Sequence, residues 1–177
     1  AAAAEELRAV LDRPPTPEET AAVRTAHREA YAALRPTVRP THGARELVDG
    51  LRGRGVPAVV VTGSGPDATR DVLAEVGAAP LPVVHTGGAV PPKPDPTSLR
   101  AGLDALGASA EGAWAVGDSV WDMRAASALG LTAVAVRSGG IGDDALRAAG
   151  AEAVVDDAAA VLELVADACD EPARVGA

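Results

Sequence analysis

The chain has 177 residues and a formal net charge of −9, with a pI of about 4.7. This acidic balance argues against nucleic acid and against an anionic membrane surface as partners, because both select patches of lysine and arginine. No apolar run reaches the length of about 18 residues that predicts a membrane span. The single cysteine, Cys169, cannot form an intrachain disulfide, which favours a reducing, cytoplasmic compartment. Aromatic residues make up 2% of the chain and Phe is absent, so the core must consist mainly of Ala, Val and Leu.

The amino-terminal part of the sequence has a helical pattern that prolines interrupt. We predict helix over residues 2–34, broken at residues 14–17, with a second helix that starts at Thr16 or Pro17. The next predicted helix covers residues 44–52, where glycines end it.

From residue 56 onward, apolar strand-like runs alternate with helical segments. The predicted strands cover residues 56–62, 82–85, 113–116, 132–136 and 153–155, and the predicted helices cover residues 67–76, 96–106, 122–129, 143–149 and 158–166. Continuous apolar runs are typical of parallel strands that helices cover on both faces. The order therefore predicts an α/β fold with a parallel sheet, in which sites lie beyond the carboxyl ends of the strands.

A hydroxyl and two glycines follow the first predicted strand. Thr62 ends the run Val59-Val60-Val61, and Gly63-Ser64-Gly65 leads into the next helix. A strand-end hydroxyl beside backbone N–H groups at a helix N-terminus suits a phosphate, and glycine lets the backbone approach it closely. The alternative is a tight turn that Thr62 caps locally.

Lys93 is the only lysine of the chain, and it stands between prolines in Pro91-Pro92-Lys93-Pro94-Asp95-Pro96. Because the prolines stiffen this loop, the ammonium group is aimed and can neutralise phosphate charge. The alternative is a solvated loop lysine.

Two carboxylates follow the strand at residues 113–116, in the segment Gly117-Asp118-Ser119-Val120-Trp121-Asp122. Asp118 at the strand end is placed to bind a hard cation such as Mg²⁺. Asp122 on the first helical turn is placed to bind the cation through water or to orient Lys93. The alternative is that Asp122 interacts with the helix dipole and Asp118 caps a turn.

In this order along the chain, the three motifs resemble the second, third and fourth motifs of the haloacid dehalogenase superfamily. The resemblance covers residues 43–164. The helical residues before it resemble the latter half of the helical cap in the phosphoglycolate-phosphatase-like branch. The resemblance implies a three-layer, Rossmann-like α/β core at residues 41–166 and a remnant of the cap at residues 1–40. Residues 167–177 are predicted to be a flexible tail, because they follow the last predicted helix at the chain terminus.

By the same resemblance, the function implied is that of a Mg²⁺-dependent phosphomonoester hydrolase. It would act on a small phosphorylated metabolite through an aspartyl-phosphate. The resemblance implies that Thr62, Gly63 and Ser64 bind the phosphoryl group and that Lys93 stabilises its charge. It also implies that Asp118 ligates Mg²⁺ with Asp122 in support.

The first motif of the family, Asp-x-Asp-Gly-Thr at the end of a first strand, has no match in this sequence. In the family its first Asp is the nucleophile and its second Asp is the general acid and base. That strand lies at the centre of the sheet, between the strands that lead to Thr62 and to Asp118. The resemblance therefore implies that this chain lacks a central strand, has two unpaired strand edges and is inactive by itself.

Two alternatives remain open. One is a non-catalytic relative that binds phosphate compounds or a partner protein. The other is an NAD-type dinucleotide-binding domain, because residues 63–68 fit Gly-x-Gly-x-x-Ala after a strand. The acid expected for the ribose is missing from residues 81–85, and Pro66 removes an N–H beside the phosphate position.

Overall fold

The computed structural model describes residues 7–8 and 10–170. The chain divides into two compact units, one that reaches to Arg39 and one that starts at Pro40. The predicted helix start at residue 2, and residues 171–177 of the predicted tail, lie outside the described residues.

The first unit contains the helix α1 (Pro17–Leu34), followed by a short 3₁₀ turn. As predicted, the helix begins at Pro17, and a capping box at Thr16 explains why. The Thr16 hydroxyl accepts the N–H of Glu19 at 3.1 Å, and the Glu19 carboxylate accepts the N–H of Thr16 at 2.8 Å. None of the α1 residues is buried, and the assignment of this unit as a cap remnant stays a prediction.

The second unit consists of parallel strands that alternate with helices. Its strands are β1 (Val60–Thr62), β2 (Val83–His85), β3 (Trp114–Gly117), β4 (Thr132–Val136) and β5 (Ala153–Val155). Its helices are α2 (Ala44–Gly53), α3 (Pro66–Glu75), α4 (Thr97–Leu106), α5 (Val120–Leu129), α6 (Asp143–Ala148) and α7 (Ala158–Asp170). This order confirms the predicted α/β fold.

Two elements differ from their predicted bounds. β1 is shorter than the predicted strand over residues 56–62, because Val56 donates its N–H back to Leu51 at 3.0 Å and Pro57 has no N–H to donate. α7 extends to Asp170 instead of ending at residue 166, so the first residues of the predicted tail are helical.

The strands form two separate parallel sheets. One contains β1 and β2, and the other has the order β3-β4-β5. Helices α2 and α7 pack together, whereas α4 lies against β1 and β2 and contacts α5. The pair α2 and α7 and the pair α4 and α5 are both needed, because strands that are apolar on both faces require helices on both sides.

A cavity of about 650 Å³ separates β1 from β3, and we call it the central slot. Its sides are formed by Val59 and Val61 on one hand and by residues 113–116 on the other. Among the described residues, no strand pairs with the edges of β1 and β3 that face this slot. The family resemblance puts a central strand between the strands that lead to Thr62 and to Asp118, and these are the two strands that border the slot.

The core lies around β4, where small side chains pack closely. Its buried members include Met123 of α5, Ala133 and Ala135 of β4, and Leu146 of α6, each 0% exposed. Close packing is what a core without Phe requires, since each Ala or Val buries little area. None of the described helices is both long and apolar enough to cross a membrane.

Candidate functional site

The residues predicted from the sequence lie beside the carboxyl ends of the two strands that border the central slot. Thr62 is the last residue of β1, and Asp118 directly follows β3. Lys93 lies in the loop between β2 and α4, and Asp122 lies in the first turn of α5. The carboxyl ends of parallel strands are the usual position of sites in α/β folds.

Lys93 connects the two sheets at this edge. Its ammonium group forms an ion pair with Oδ1 of Asp122 and donates to the Val61 carbonyl of β1 at 3.4 Å. The side chains of Lys93 and Asp122 are 23% and 11% exposed, so solvent screens the pair only weakly. The structure thus brings together two predicted site residues that lie far apart in the sequence.

The second oxygen of Asp122 is held by the start of its own helix. Oδ2 accepts the N–H of Ser119 at 3.2 Å and its hydroxyl at 2.5 Å. The N–H of Asp122 donates to the Ser119 hydroxyl at 3.3 Å, which completes a capping box. Asp122 therefore has both oxygens engaged, and its immediate role is to hold Lys93 in place.

Gly117 is required for this arrangement. A Cβ at this position would collide with the Asp122 side chain and lie 2.8 Å from its Oδ2. We expect Gly117→Ala to destabilise the chain by about 1–3 kcal/mol, the usual cost of overpacking a filled site. Chemical denaturation measures this change. The matched control is Gly53→Ala at the end of α2, where nothing lies within 4 Å of the new Cβ; equal effects of the two variants would contradict the prediction.

Asp118 differs from Asp122 in being exposed. Within residues 7–8 and 10–170, no side chain bonds its carboxylate. The backbone behind it is Gly139, where a Cβ would lie 2.9 Å from Cβ of Asp118. The turn that carries Gly139 starts at Arg137, whose guanidinium donates to Asp143 at 2.9 and 2.7 Å and also binds Asp156. This contact holds the pKa of the Asp143 carboxyl below its usual value and fixes the turn behind Asp118.

The loop after β1 combines hydroxyls and backbone N–H groups. The Thr62 hydroxyl accepts the N–H of Ser64 at 3.0 Å, so its own O–H remains available to donate to a ligand. Gly63 and Ser64 are exposed. The Ser64 carbonyl accepts from Nδ1 of His85, the residue paired with Thr62 in β2, at 3.0 Å. Pro66 is the first residue of α3, which removes one N–H that a dinucleotide pyrophosphate would use.

A magnesium ion fits Asp118 better than it fits Asp122. Mg²⁺ binds through one or two carboxylates, with waters and substrate phosphate completing its shell. Asp118 offers a free, exposed carboxylate, whereas both oxygens of Asp122 are already bonded. The described residues contain no group of three acidic, histidine or cysteine side chains that could hold a metal. Asp118 as a ligand of Mg²⁺ and Asp122 as its support therefore both stay predictions.

A family model for the haloacid dehalogenase-like hydrolases matches residues 2–130. The chain belongs to this family. The chain is also similar to a phosphoglycolate phosphatase of Rhodospirillum rubrum. The two sequences are 38% identical over 121 residues, which cover 67% of this chain and 50% of that protein. The chain thus spans half the length of this curated relative.

Two solved structures have a fold similar to that of this chain. A hydrolase from Pseudomonas syringae superposes with a TM-score of 0.84 at 26% identity, over 93% of this chain and 76% of the other. A β-phosphoglucomutase from Clostridium difficile superposes with a TM-score of 0.69 at 17% identity, over 88% of this chain and 69% of the other. The family resemblance noted in the sequence is confirmed.

Three partners of the site residues were not predicted from the sequence. Ser119 holds Asp122 and His85 holds the loop at Ser64, while the Val61 carbonyl binds Lys93. Ser119 and Asp122 match the Ser-x-x-Asp spacing of a capping box, so a local signal for this contact exists. The other two contacts join segments far apart in sequence, for which the chain carries no local signal.

Proposed function

We propose that this chain carries the phosphate-binding and charge-stabilising part of a Mg²⁺-dependent phosphomonoester hydrolase. The substrate would be a small phosphorylated metabolite. An aspartate carboxylate would attack its phosphorus to form an aspartyl-phosphate with release of the alcohol, and water would then hydrolyse the aspartyl-phosphate. The observation that supports this most is the Lys93–Asp122 ion pair. It holds the partly buried ammonium group of Lys93 between the strand ends at Thr62 and Asp118. A fixed cation at a strand edge lowers the energy of charge that develops on a transferring phosphoryl group.

Each remaining residue has a role that follows from its contacts. The Thr62 hydroxyl and the Gly63 N–H would donate to phosphoryl oxygens, and Ser64 would contribute its hydroxyl. Asp118 would bind Mg²⁺, which when bound neutralises phosphate charge. Asp122 would position Lys93 through its ion pair.

Residues 1–177 contain no Asp-x-Asp segment, and this absence bears on the activity expected of these residues alone. We propose that these residues alone do not turn over a phosphate ester, because no nucleophile of the family type accompanies Thr62 and Lys93. Phosphoglycolate is the first substrate to test, since the R. rubrum relative is a phosphoglycolate phosphatase. Because the Asp-x-Asp segment is absent, we retain a second candidate function, that of a non-catalytic relative that binds phosphate compounds.

The test of the metal assignment is Asp118→Asn in the protein expressed from its complete native gene. We expect Mg²⁺-dependent release of phosphate from phosphoglycolate to be lost, because the amide removes the charge that holds the cation. Calorimetric Mg²⁺ titration should show affinity lowered by at least about tenfold, as for changes to metal-site residues.

The matched control is Asp104→Asn, which removes an exposed carboxylate from α4. It should leave both readouts unchanged. Unaltered hydrolysis in Asp118→Asn would refute the metal assignment. Phosphate binding without hydrolysis in the unsubstituted protein, over a range of phosphate esters, would favour the non-catalytic reading.

A further inference from the structure

The loop after β1 is bonded to the end of β2 at two places. We call residues 62–65 the phosphate loop, since they include the residues proposed above to bind phosphate. Thr62 and His85 are paired in register at the carboxyl ends of β1 and β2. The Thr62 carbonyl accepts the N–H of Thr86 at 2.8 Å, and the Ser64 carbonyl accepts from Nδ1 of His85 at 3.0 Å. The second contact comes from a side chain, so it depends on which residue ends β2.

The contact with Ser64 defines which ring nitrogen of His85 carries a hydrogen. A carbonyl oxygen can only accept a hydrogen bond, so Nδ1 of His85 must be the donor. In a neutral imidazole, Nε2 is then the nitrogen without a hydrogen. The half-buried His85 ring is therefore expected in one tautomer.

The direction of the Ser64 carbonyl also sets the direction of the next N–H. In a planar trans peptide, the C=O group and the N–H group that follows it point in opposite directions. With the Ser64 carbonyl held by His85, the N–H of Gly65 points away from the His85 ring. The Gly65 carbonyl is held from the other side, because it accepts the N–H and the hydroxyl of Thr69, each at 3.0 Å.

The phosphate loop thus has bonded carbonyl groups and free N–H groups. The N–H groups of Gly63 and Gly65 have no protein acceptor among the described residues, and both glycines are exposed. Free N–H groups that precede a helix favour an anion. Glycine restricts backbone rotation less than any other residue, so without His85 the Ser64–Gly65 peptide would be free to turn its carbonyl toward the anion and repel it.

We propose that His85 is a positioning residue of the phosphate loop. Its Nδ1–H holds the Ser64–Gly65 peptide so that the Gly65 N–H is directed to donate to a phosphoryl oxygen. His85 acts through the Ser64 carbonyl and not by contact with the substrate. This inference rests on the proposed function, because it adds a role in binding the phosphoryl group at the same site.

The test measures binding of inorganic phosphate by calorimetry, in the presence of Mg²⁺, to the protein expressed from its complete native gene. His85→Leu removes the donor and keeps an apolar side chain. It should weaken binding by about tenfold, the loss expected when one hydrogen bond to a charged group is removed. His85→Asn should recover most of the affinity, because its Nδ2 also donates and is as many bonds from Cα as Nδ1 of histidine. Asparagine would not replace the ring if packing alone mattered.

His42→Leu is the matched control. Nδ1 of His42 also makes a hydrogen bond, to Oδ2 of Asp157 at 2.8 Å, but this contact lies ahead of α7 and does not involve the phosphate loop. The control should leave phosphate affinity unchanged.

The outcomes separate this inference from the proposed function. Equal phosphate affinity of His85→Leu and the unsubstituted protein would overturn the inference and leave the proposed function standing. A loss in His85→Leu that His85→Asn does not recover would also overturn the inference. An unsubstituted protein that binds no phosphate would overturn both.

The tautomer of His85 gives a second measurement that needs neither phosphate nor a variant that binds it. Long-range ¹H–¹⁵N correlation spectra at alkaline pH, where histidine is neutral, should show the hydrogen on Nδ1, with the signals assigned by their absence from His85→Asn. A hydrogen on Nε2 would place a lone pair of Nδ1 against the Ser64 carbonyl and would overturn the inference. Should His85→Leu fail to fold, as circular dichroism would show, this measurement and the affinity of His85→Asn decide the question.

Discussion

Replacing Lys93 by methionine should lower kcat/KM for phosphate ester hydrolysis by about 10²–10³-fold in the protein expressed from its complete native gene. This is the typical cost of removing one fixed charge or donor that stabilises a transition state. Methionine keeps much of the length and packing of the lysine side chain, so the loss reports the ammonium group. Steady-state kinetics with phosphoglycolate measures the effect, which should fall mainly on kcat.

Two controls separate this role from general effects of charge. Arg100→Met removes an exposed cation from α4 and should leave kcat/KM unchanged. Lys93→Arg retains the charge but not the compact ammonium that reaches Val61 and Asp122, so it should recover only part of the rate. A Lys93→Met protein with full activity would mean that this cation does not face the substrate.

The fold could be predicted from the sequence where strand pairing and apolar pattern coincide. β4 has its predicted bounds, residues 132–136, because it pairs on both sides and is buried along most of its length. Residues 56–59 have the same apolar pattern but line the central slot instead of pairing. Apolar pattern reports burial, and burial alone does not distinguish a strand from a segment that borders a cavity.

The candidate site was predictable as a set of residues but not as a geometry. Local motifs identify Thr62, Lys93 and Asp118, because each stands beside a strand end or between prolines. Asp118 and Asp122 have different roles because Asp122 contacts Lys93, a residue 29 positions away in the chain. Such long-range contacts follow from the packing of whole elements and leave no signal in a short motif.

We expect loss of the Lys93–Asp122 ion pair to lower the stability of the chain as well as catalysis. Asp122→Asn should destabilise the 177-residue chain by about 3 kcal/mol, because it leaves the shielded ammonium of Lys93 without a counter-charge. Asparagine retains an oxygen that can accept from Ser119, so the helix cap is largely preserved. The midpoint of thermal unfolding should fall by about 6–12 °C for a chain of this size.

A double-mutant cycle shows whether the loss belongs to the pair. Lys93→Met combined with Asp122→Asn removes both charges, and the double variant should be more stable than Asp122→Asn alone, since no buried charge is left unpaired. If the two single effects simply add, the residues are not coupled, and Asp122 then acts only as a helix cap. Coupling of about 2 kcal/mol or more, within the range found for contacting residues, would instead establish that one carboxylate both caps α5 and holds the cation at the strand edge.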